Sequence, residues 1–326
     1  MLSLEKSGTG LLLALMAAVC YGFIPLFTKE LQAPSVGLPL SSSTILFYRF
    51  GISSLVLAII MVLRRESFRI NYAEFLRLVL LAFLSDGAAL FLISGYRYFS
   101  SSGVATTLHF TYPILTALIM MIFFRERSRV STWVAIVLSI CGVAFLSGVG
   151  SAGAQWLGIV LELISALCFA LYLIRVNRSR VVGNMPVAKL TFYVMVFGTA
   201  IFAAFIAYER ADFDVSAHYA LLPPPGGWWN LGFLAIVCTV VTNLALVHAT
   251  QNIGPTVTSI LGVLEPLTAL VLGILFLGEQ LTPAMAIGIG LILPAVLIII
   301  LRRKSLGAPP FSSEGLRPVV LLDPSF

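Results

Sequence analysis

Two stretches decide the fold: "LHFTYPILTALIMMIFFRER", Leu108 to Arg127, and "LGVLEPLTALVLGILFLGEQ", Leu261 to Gln280. They align without gaps, Pro113 on Pro266, Phe123 on Phe276 and Glu126 on Glu279, each pair 153 positions apart. Leucine-rich segments match one another easily, so apolar identity alone says little. A proline and a glutamate at one shared spacing mark an internal repeat.

Both copies lie in a chain of 326 residues that is 59% hydrophobic and 10% charged, with a mean hydropathy of +1.02. A soluble domain of this length needs far more polar surface, and here the apolar runs are long rather than amphipathic. The composition therefore reads as a polytopic all-α integral membrane protein whose outer partner is the lipid bilayer.

Crossing the hydrocarbon takes roughly 20 residues. Ten such spans are predicted, at about 9–31, 43–63, 75–96, 103–124, 131–149, 156–174, 189–208, 230–250, 256–277 and 282–301. Lys6 ahead of the first one resembles a signal peptide, but no small-residue cleavage site follows, and the span is read as part of the fold.

The repeat divides the chain into halves, 1–149 and 150–304, followed by a Pro-, Ser- and Gly-rich tail at 305–326 that is expected to be disordered. Each half holds five spans, and an odd number forces the second copy to enter the membrane inverted. Ten helices then form two inverted five-helix repeats around a central cavity, an architecture of secondary transporters.

The formal net charge of +6 is not a nucleic-acid footprint, because of where it falls. If the N-terminus is cytoplasmic, one side collects the clusters Arg64, Arg65 and Arg69; Arg125, Arg127 and Arg129; Arg175, Arg178 and Arg180; and Arg302, Arg303 and Lys304. The other side has only Lys29, Arg97 and Arg210. The positive-inside rule places both termini in the cytoplasm. Trp228 and Trp229, in "PPPGGWW", read as an interfacial anchor on the opposite side. Cys20, Cys141, Cys168 and Cys238 all fall in apolar spans, and their spacing suits neither a disulfide framework nor a zinc site. No cofactor or metal is expected.

Ionisable groups in hydrocarbon cost roughly 2.5–3.5 kcal/mol each even on mild insertion scales, so each needs a role. The spans contain Arg49, Asp86, His109, Glu162, His248 and Glu265. Helical spacing puts Thr106, His109, Pro113 and Thr116 on one face with Tyr112 beside them. It does the same for Glu162, Ser165, Phe169 and Tyr172, and for Thr258, Gly262 and Glu265. Thr239, Thr242 and Asn243 add polar groups on the eighth span. A shared hydrated cavity would satisfy these faces together. For small residues such as Thr106, Thr116, Ser165 and Thr242, interhelical hydrogen bonding is the simpler reading. Glu162 and Glu265 are read as cavity-lining. Arg49 pairs with a carboxylate or a helix-end carbonyl, and Asp86 and His109 are candidates for a proton path. His248 is read as interfacial.

Pro25, Pro113 and Pro266 each remove a backbone hydrogen bond inside a span, leaving either a hinge or a static kink. Ala135 and Ser139, with Ala284 and Gly288, are spaced for close helix packing or for a homodimer face.

These residues resemble the drug/metabolite transporter superfamily, specifically EamA-domain transporters, up to about Leu301. The marks are Tyr21, Gly22 and Pro25 in the first span, Arg49 in the second, and the Pro-to-Glu element ending the fourth span of each half. "EPLTALVLGILFLGEQLT" is the closer copy; the first departs with Arg125 where the family pattern has Gly, and Phe169 and Ala170 lack the sixth span's proline.

The resemblance implies a small-molecule substrate, amino acids or related metabolites foremost, exported across the inner membrane of a bacterium. Tyr21, Tyr112, Phe169 and Tyr172 would then offer stacking surface, and Glu162 or Glu265 would face an ammonium group or carry a coupled proton. A carrier for nucleotide-linked or phosphorylated sugars would want several cavity cations, and the spans offer Arg49. An intramembrane enzyme would need a metal or nucleophile motif, and none is found.

Overall fold

The structure, a computed structural model, describes residues 2–32, 37–95, 98, 108–124, 130–147, 156–183, 185–211, 218–224, 226–277 and 283–306. Thr106, Glu126, Glu279 and nearly all of the expected tail lie outside the described residues. Helix is the dominant element: the described part of each predicted span is helical apart from short breaks in three of them.

The elements are α1 (Leu2–Tyr21), α2 (Ile24–Gln32), α3 (Ser42–Leu63), α4 (Tyr72–Gly95), α5 (Tyr112–Phe124), α6 (Val130–Ser147) and α7 (Trp156–Arg178) in the first part of the chain. After the turn Arg180–Gly183 come α8 (Val187–Ala211), α9 (Gly227–Ala235), a π-helical segment (Ile236–Val241), α10 (Thr242–Ile253), α11 (Pro255–Leu261), α12 (Leu264–Leu277) and α13 (Pro283–Leu306). Among the described residues, seven helical stretches are long and apolar enough to cross a membrane: 8–32, 42–63, 72–95, 156–178, 187–211, 227–253 and 255–276. Three further apolar helices are shorter, Tyr112–Phe124, Val130–Gly142 and Ala286–Ala295.

The helices form because a backbone in hydrocarbon must satisfy its own hydrogen bonds. Three of them are interrupted, and the interruptions share a cause. Pro25 cannot donate to the carbonyl of Tyr21, Pro113 to that of His109, or Pro266 to that of Gly262. The chain accordingly leaves helical geometry at Gly22–Phe23, Phe110–Thr111 and Gly262–Val263, just ahead of each proline. Pro294 lies inside α13 without interrupting it, so proline alone is not sufficient.

Packing couples the halves. The most extensive contacts join α6 to α13, α3 to α8, α4 to α7 and α1 to α10, and α5 meets α11. Ala135 and Ser139 are buried, and α6 and α13 approach closely where Gly142 faces Gly288; a methyl group on Gly142 would lie 2.9 Å from the Gly288 carbonyl. Gly254, at φ 82, makes the one-residue turn into α11, which Pro255 opens at its first position. At one end of the bundle Leu40 and Ala220 form an isolated bridge, and Trp228 packs edge-on against Tyr48 at 5.3 Å with half its surface exposed.

Candidate functional site

A cavity lies among α1, α3, α4, α7, α8, α10 and α12. Five sequence-predicted residues line it: Tyr21, Arg49, His109, Asn243 and Glu265. Phe50, Ser85, Leu92, Phe169 and Met195 complete much of the wall. A smaller neighbouring space is lined by Tyr21, Tyr112, Phe169, Thr258, Gly262 and Glu265. Tyr21, Phe169 and Glu265 thus belong to both.

The breaks bring these groups together. Tyr21 ends α1 at the first break, His109 precedes the second, and Glu265 follows the third within the first turn of α12. A methyl group on Gly22 would sit 2.8 Å from the Glu265 carbonyl, and one on Gly262 would collide with the Tyr112 hydroxyl. Helix interruptions from both halves therefore meet at one seam, and the glycines at two of them allow it.

Aromatic rings finish this seam. Tyr112 and Phe169 meet edge to face at 4.9 Å, and His109 lies 5.5 Å from Tyr112 and 5.8 Å from Phe169. Tyr172 continues the row, 6.2 Å from Phe169, but is buried behind the wall.

Arg49 reaches from α3 to the π-helical segment. Its Nε donates to Thr239 Oγ1 at 2.5 Å and its Nη2 to the Cys238 carbonyl at 2.9 Å, while Ser53 Oγ lies 2.6 Å from the Arg49 carbonyl and 3.0 Å from that of Ala235. A π turn widens the helix, and the hydroxyls of Thr239 and Thr242 donate to carbonyls five residues back, Leu234 and Val237, both at 2.8 Å. Asn243 Nδ2 donates to the Thr239 carbonyl at 2.9 Å, leaving its Oδ1 toward Tyr21, whose hydroxyl stands 3.5 Å away, the limit of a hydrogen bond. Arg49→Lys keeps the charge but not the fork that spans two acceptors. It is expected to lower the stability of the detergent-solubilised protein by about 1–3 kcal/mol, and an unchanged melting temperature would show that the fork contributes nothing.

The structure does not gather all nine predicted site residues. Asp86, beside the wall residue Ser85, turns its carboxyl away and seats it against Gly198 of α8. Glu162 is fully buried with its carboxyl pressed on Gly95 at the end of α4, and neither oxygen has a hydrogen-bond partner among the described residues. Tyr112 lines only the smaller space.

Thr116 was expected to bond between helices, yet it donates to the Tyr112 carbonyl of its own helix at 2.8 Å; Thr242 donates to the Val237 carbonyl at 2.8 Å and also meets the Cys20 thiol of α1 across helices. Ser165 does cross, to the Ala88 carbonyl at 2.6 Å. His248 is exposed. Sequence reading missed the π segment, Ser53, Met195 and the seats at Gly95 and Gly198. A glycine in an apolar span carries no sign of what rests on it.

Known proteins place this geometry. Residues 8–148 and 156–301 each match the EamA-like transporter family. The uncharacterized inner membrane transporter YedA of Escherichia coli K12 is 24% identical over 211 residues, 64% of this chain and 65% of its own length, so the chain spans just under two thirds of that relative. The uncharacterized transporter YetK of Bacillus subtilis is 24% identical over 322 residues, 95% of this chain and 93% of its own. An uncharacterized transporter of Archaeoglobus fulgidus is 25% identical over 81% of this chain and 90% of its own. A solved crystal structure superimposes with a TM-score of 0.75 at 15% identity, covering 92% of this chain and 99% of that one, which is likeness of fold. With both halves matched over nearly their whole length, the chain is a multi-pass membrane protein that belongs to the EamA-like transporter family.

Proposed function

We propose that this protein is a secondary transporter that moves small organic metabolites, amino acids or related compounds foremost, out across a bacterial inner membrane by alternating access. The observation that carries this reading is a cavity walled by both halves, with Tyr21, Arg49, His109, Asn243 and Glu265 on its surface and three interrupted helices at its edge. Interrupted helices suit a transport site because they bring polar backbone and side chains to one place and provide points of bending. Arg49 is the one cationic side chain among the described lining residues, which favours a substrate with little negative charge over a sugar phosphate.

The packing supports ten spans in two inverted repeats. Exchanging the first span with the sixth, the second with the seventh, and so on, converts the pair α1 and α10 into the pair α7 and α4. The same exchange leaves α3 with α8, α5 with α11 and α6 with α13 unchanged, and all of these pairs are observed. With five spans per half the second copy enters the membrane inverted, and the distribution of the basic residues favours both termini in the cytoplasm. Single cysteines at positions 126 and 279, in a background without the four native cysteines, are expected to be labelled from inside and outside respectively. Labelling from one side sinks the inverted repeat.

The function is tested with purified protein in liposomes by counterflow of labelled amino acids, nucleosides and sugar phosphates. Saturable uptake of the amino-acid class is expected. Failure of the whole panel with demonstrably folded protein removes the metabolite-carrier reading. Dependence on an imposed proton gradient then separates coupled transport from facilitated diffusion.

A further inference from the structure

Two hydrogen bonds fix where a proton sits in the cavity wall. Ser165 Oγ lies 2.6 Å from the Ala88 carbonyl and 3.0 Å from His109 Nδ1. A carbonyl oxygen only accepts, and a serine hydroxyl has one proton to give. That proton goes to Ala88, so Ser165 turns a lone pair to the imidazole and Nδ1 must be the donor. With the hydrogen on Nδ1, the neutral ring leaves Nε2 as a bare acceptor.

The ring has little freedom to turn over. It is 6% exposed and packs against both Tyr112 and Phe169, 5.5 and 5.8 Å from their rings. His109 lines the cavity, and Nε2 has no hydrogen-bond partner among the described residues. The same wall carries the Glu265 carboxyl.

We propose that Ser165 is a positioning residue that holds His109 as its Nδ1–H tautomer, making Nε2 a specificity-determining acceptor for a substrate that carries a primary ammonium group. The inference rests on the cavity being the transport site. Glu265 supplies countercharge to any cation; Nε2 adds a requirement for an N–H donor. A primary ammonium satisfies both, a quaternary ammonium of equal charge satisfies only Glu265, and an anion satisfies neither. One charge-assisted hydrogen bond made or missed corresponds to about a tenfold difference in affinity or more.

Nitrogen NMR of the full chain in lipid nanodiscs tests this directly. The protein has three histidines, and His109→Asn, which keeps a donor toward Ser165, identifies the His109 signals by their loss. At neutral pH the expected pattern is a protonated Nδ1 and an unprotonated Nε2. Titrated n-butylammonium should move the Nε2 signal and bind about tenfold more tightly than butyltrimethylammonium, which should leave that signal in place. Ser165→Ala should release a mixture of tautomers and narrow the difference.

An Nε2–H ring or an imidazolium in the wild type overturns the proposal. So does an equal response to the two cations, no response to either, or a tautomer untouched by Ser165→Ala. The outcome is separable from the transport reading: an Nε2 signal that behaves as expected in a protein that moves nothing in counterflow sinks transport alone.

Discussion

Glu265→Gln is expected to cut the initial rate of counterflow by tenfold to a hundredfold while the protein still inserts and folds. Glu265 is the one carboxyl among the described residues lining the larger cavity, and it lines the smaller space as well. Its place in the first turn of α12, directly after the break at Gly262–Val263, puts it at the seam between the halves. Glutamine has nearly the same shape, so packing against Gly22 and Tyr21 survives the change and only the charge is lost. A hydrogen bond to a charged group contributes about 1.5–3 kcal/mol, and 1.4 kcal/mol is a factor of ten. The measurement compares rates at equal reconstituted density, with the melting temperature as control for folding. A wild-type rate across the pH range would remove Glu265 from the mechanism.

The second large effect concerns Gly262. Its backbone, φ −55 and ψ −16, is one that any residue adopts. Local propensity alone therefore predicts that Gly262→Ala stabilises the protein by a few tenths to 1 kcal/mol through a less flexible unfolded chain. Tertiary structure predicts the opposite sign. The new methyl would collide with the hydroxyl of Tyr112, a rigid side chain only 2% exposed. Overpacking of this kind costs about 1–3 kcal/mol. Thermal unfolding in detergent should therefore show Gly262→Ala below the wild type.

Combining it with Tyr112→Phe should recover part of the loss. Recovery is partial because the ring carbon that bore the hydroxyl would still lie 3.2 Å from the methyl. A stabilised Gly262→Ala, or a double variant in which the two effects simply add, would show that Tyr112 does not press on this position.

Much of the fold was legible because hydrocarbon imposes a simple rule. An apolar run of about 20 residues has to be largely helical, and every predicted span is helical over its described part save the three breaks ahead of Pro25, Pro113 and Pro266. The positions of the three interruptions were legible too, since Pro25, Pro113 and Pro266 each lack one donor at a known offset. Which prolines would actually break a helix was not, as Pro294 shows.

The site was harder to read. Helical spacing assigns a residue to a face, but it does not say how the helix is rotated against its neighbours. Asp86, Glu162 and Glu265 carry similar desolvation costs in the sequence, yet only Glu265 reaches the cavity; the other two rest on glycines of helices far away along the chain. Ser165 looked like ordinary packing. Its importance comes from Ala88 and His109, brought together by three segments that the sequence does not relate.

The π-helical segment between Ile236 and Val241 has a consequence for how this lineage can vary. One extra residue in a turn rotates everything after it by about 100° relative to an uninterrupted α-helix. Asn243 owes its outlook on the cavity to that added residue. Removing any single amino acid from the segment would leave a well-formed, equally greasy helix while turning Asn243 aside and withdrawing the Cys238 carbonyl and Thr239 hydroxyl that Arg49 grips. Hydropathy would record no change, so a relative one residue shorter here would pass for a near twin while carrying a differently faced pore.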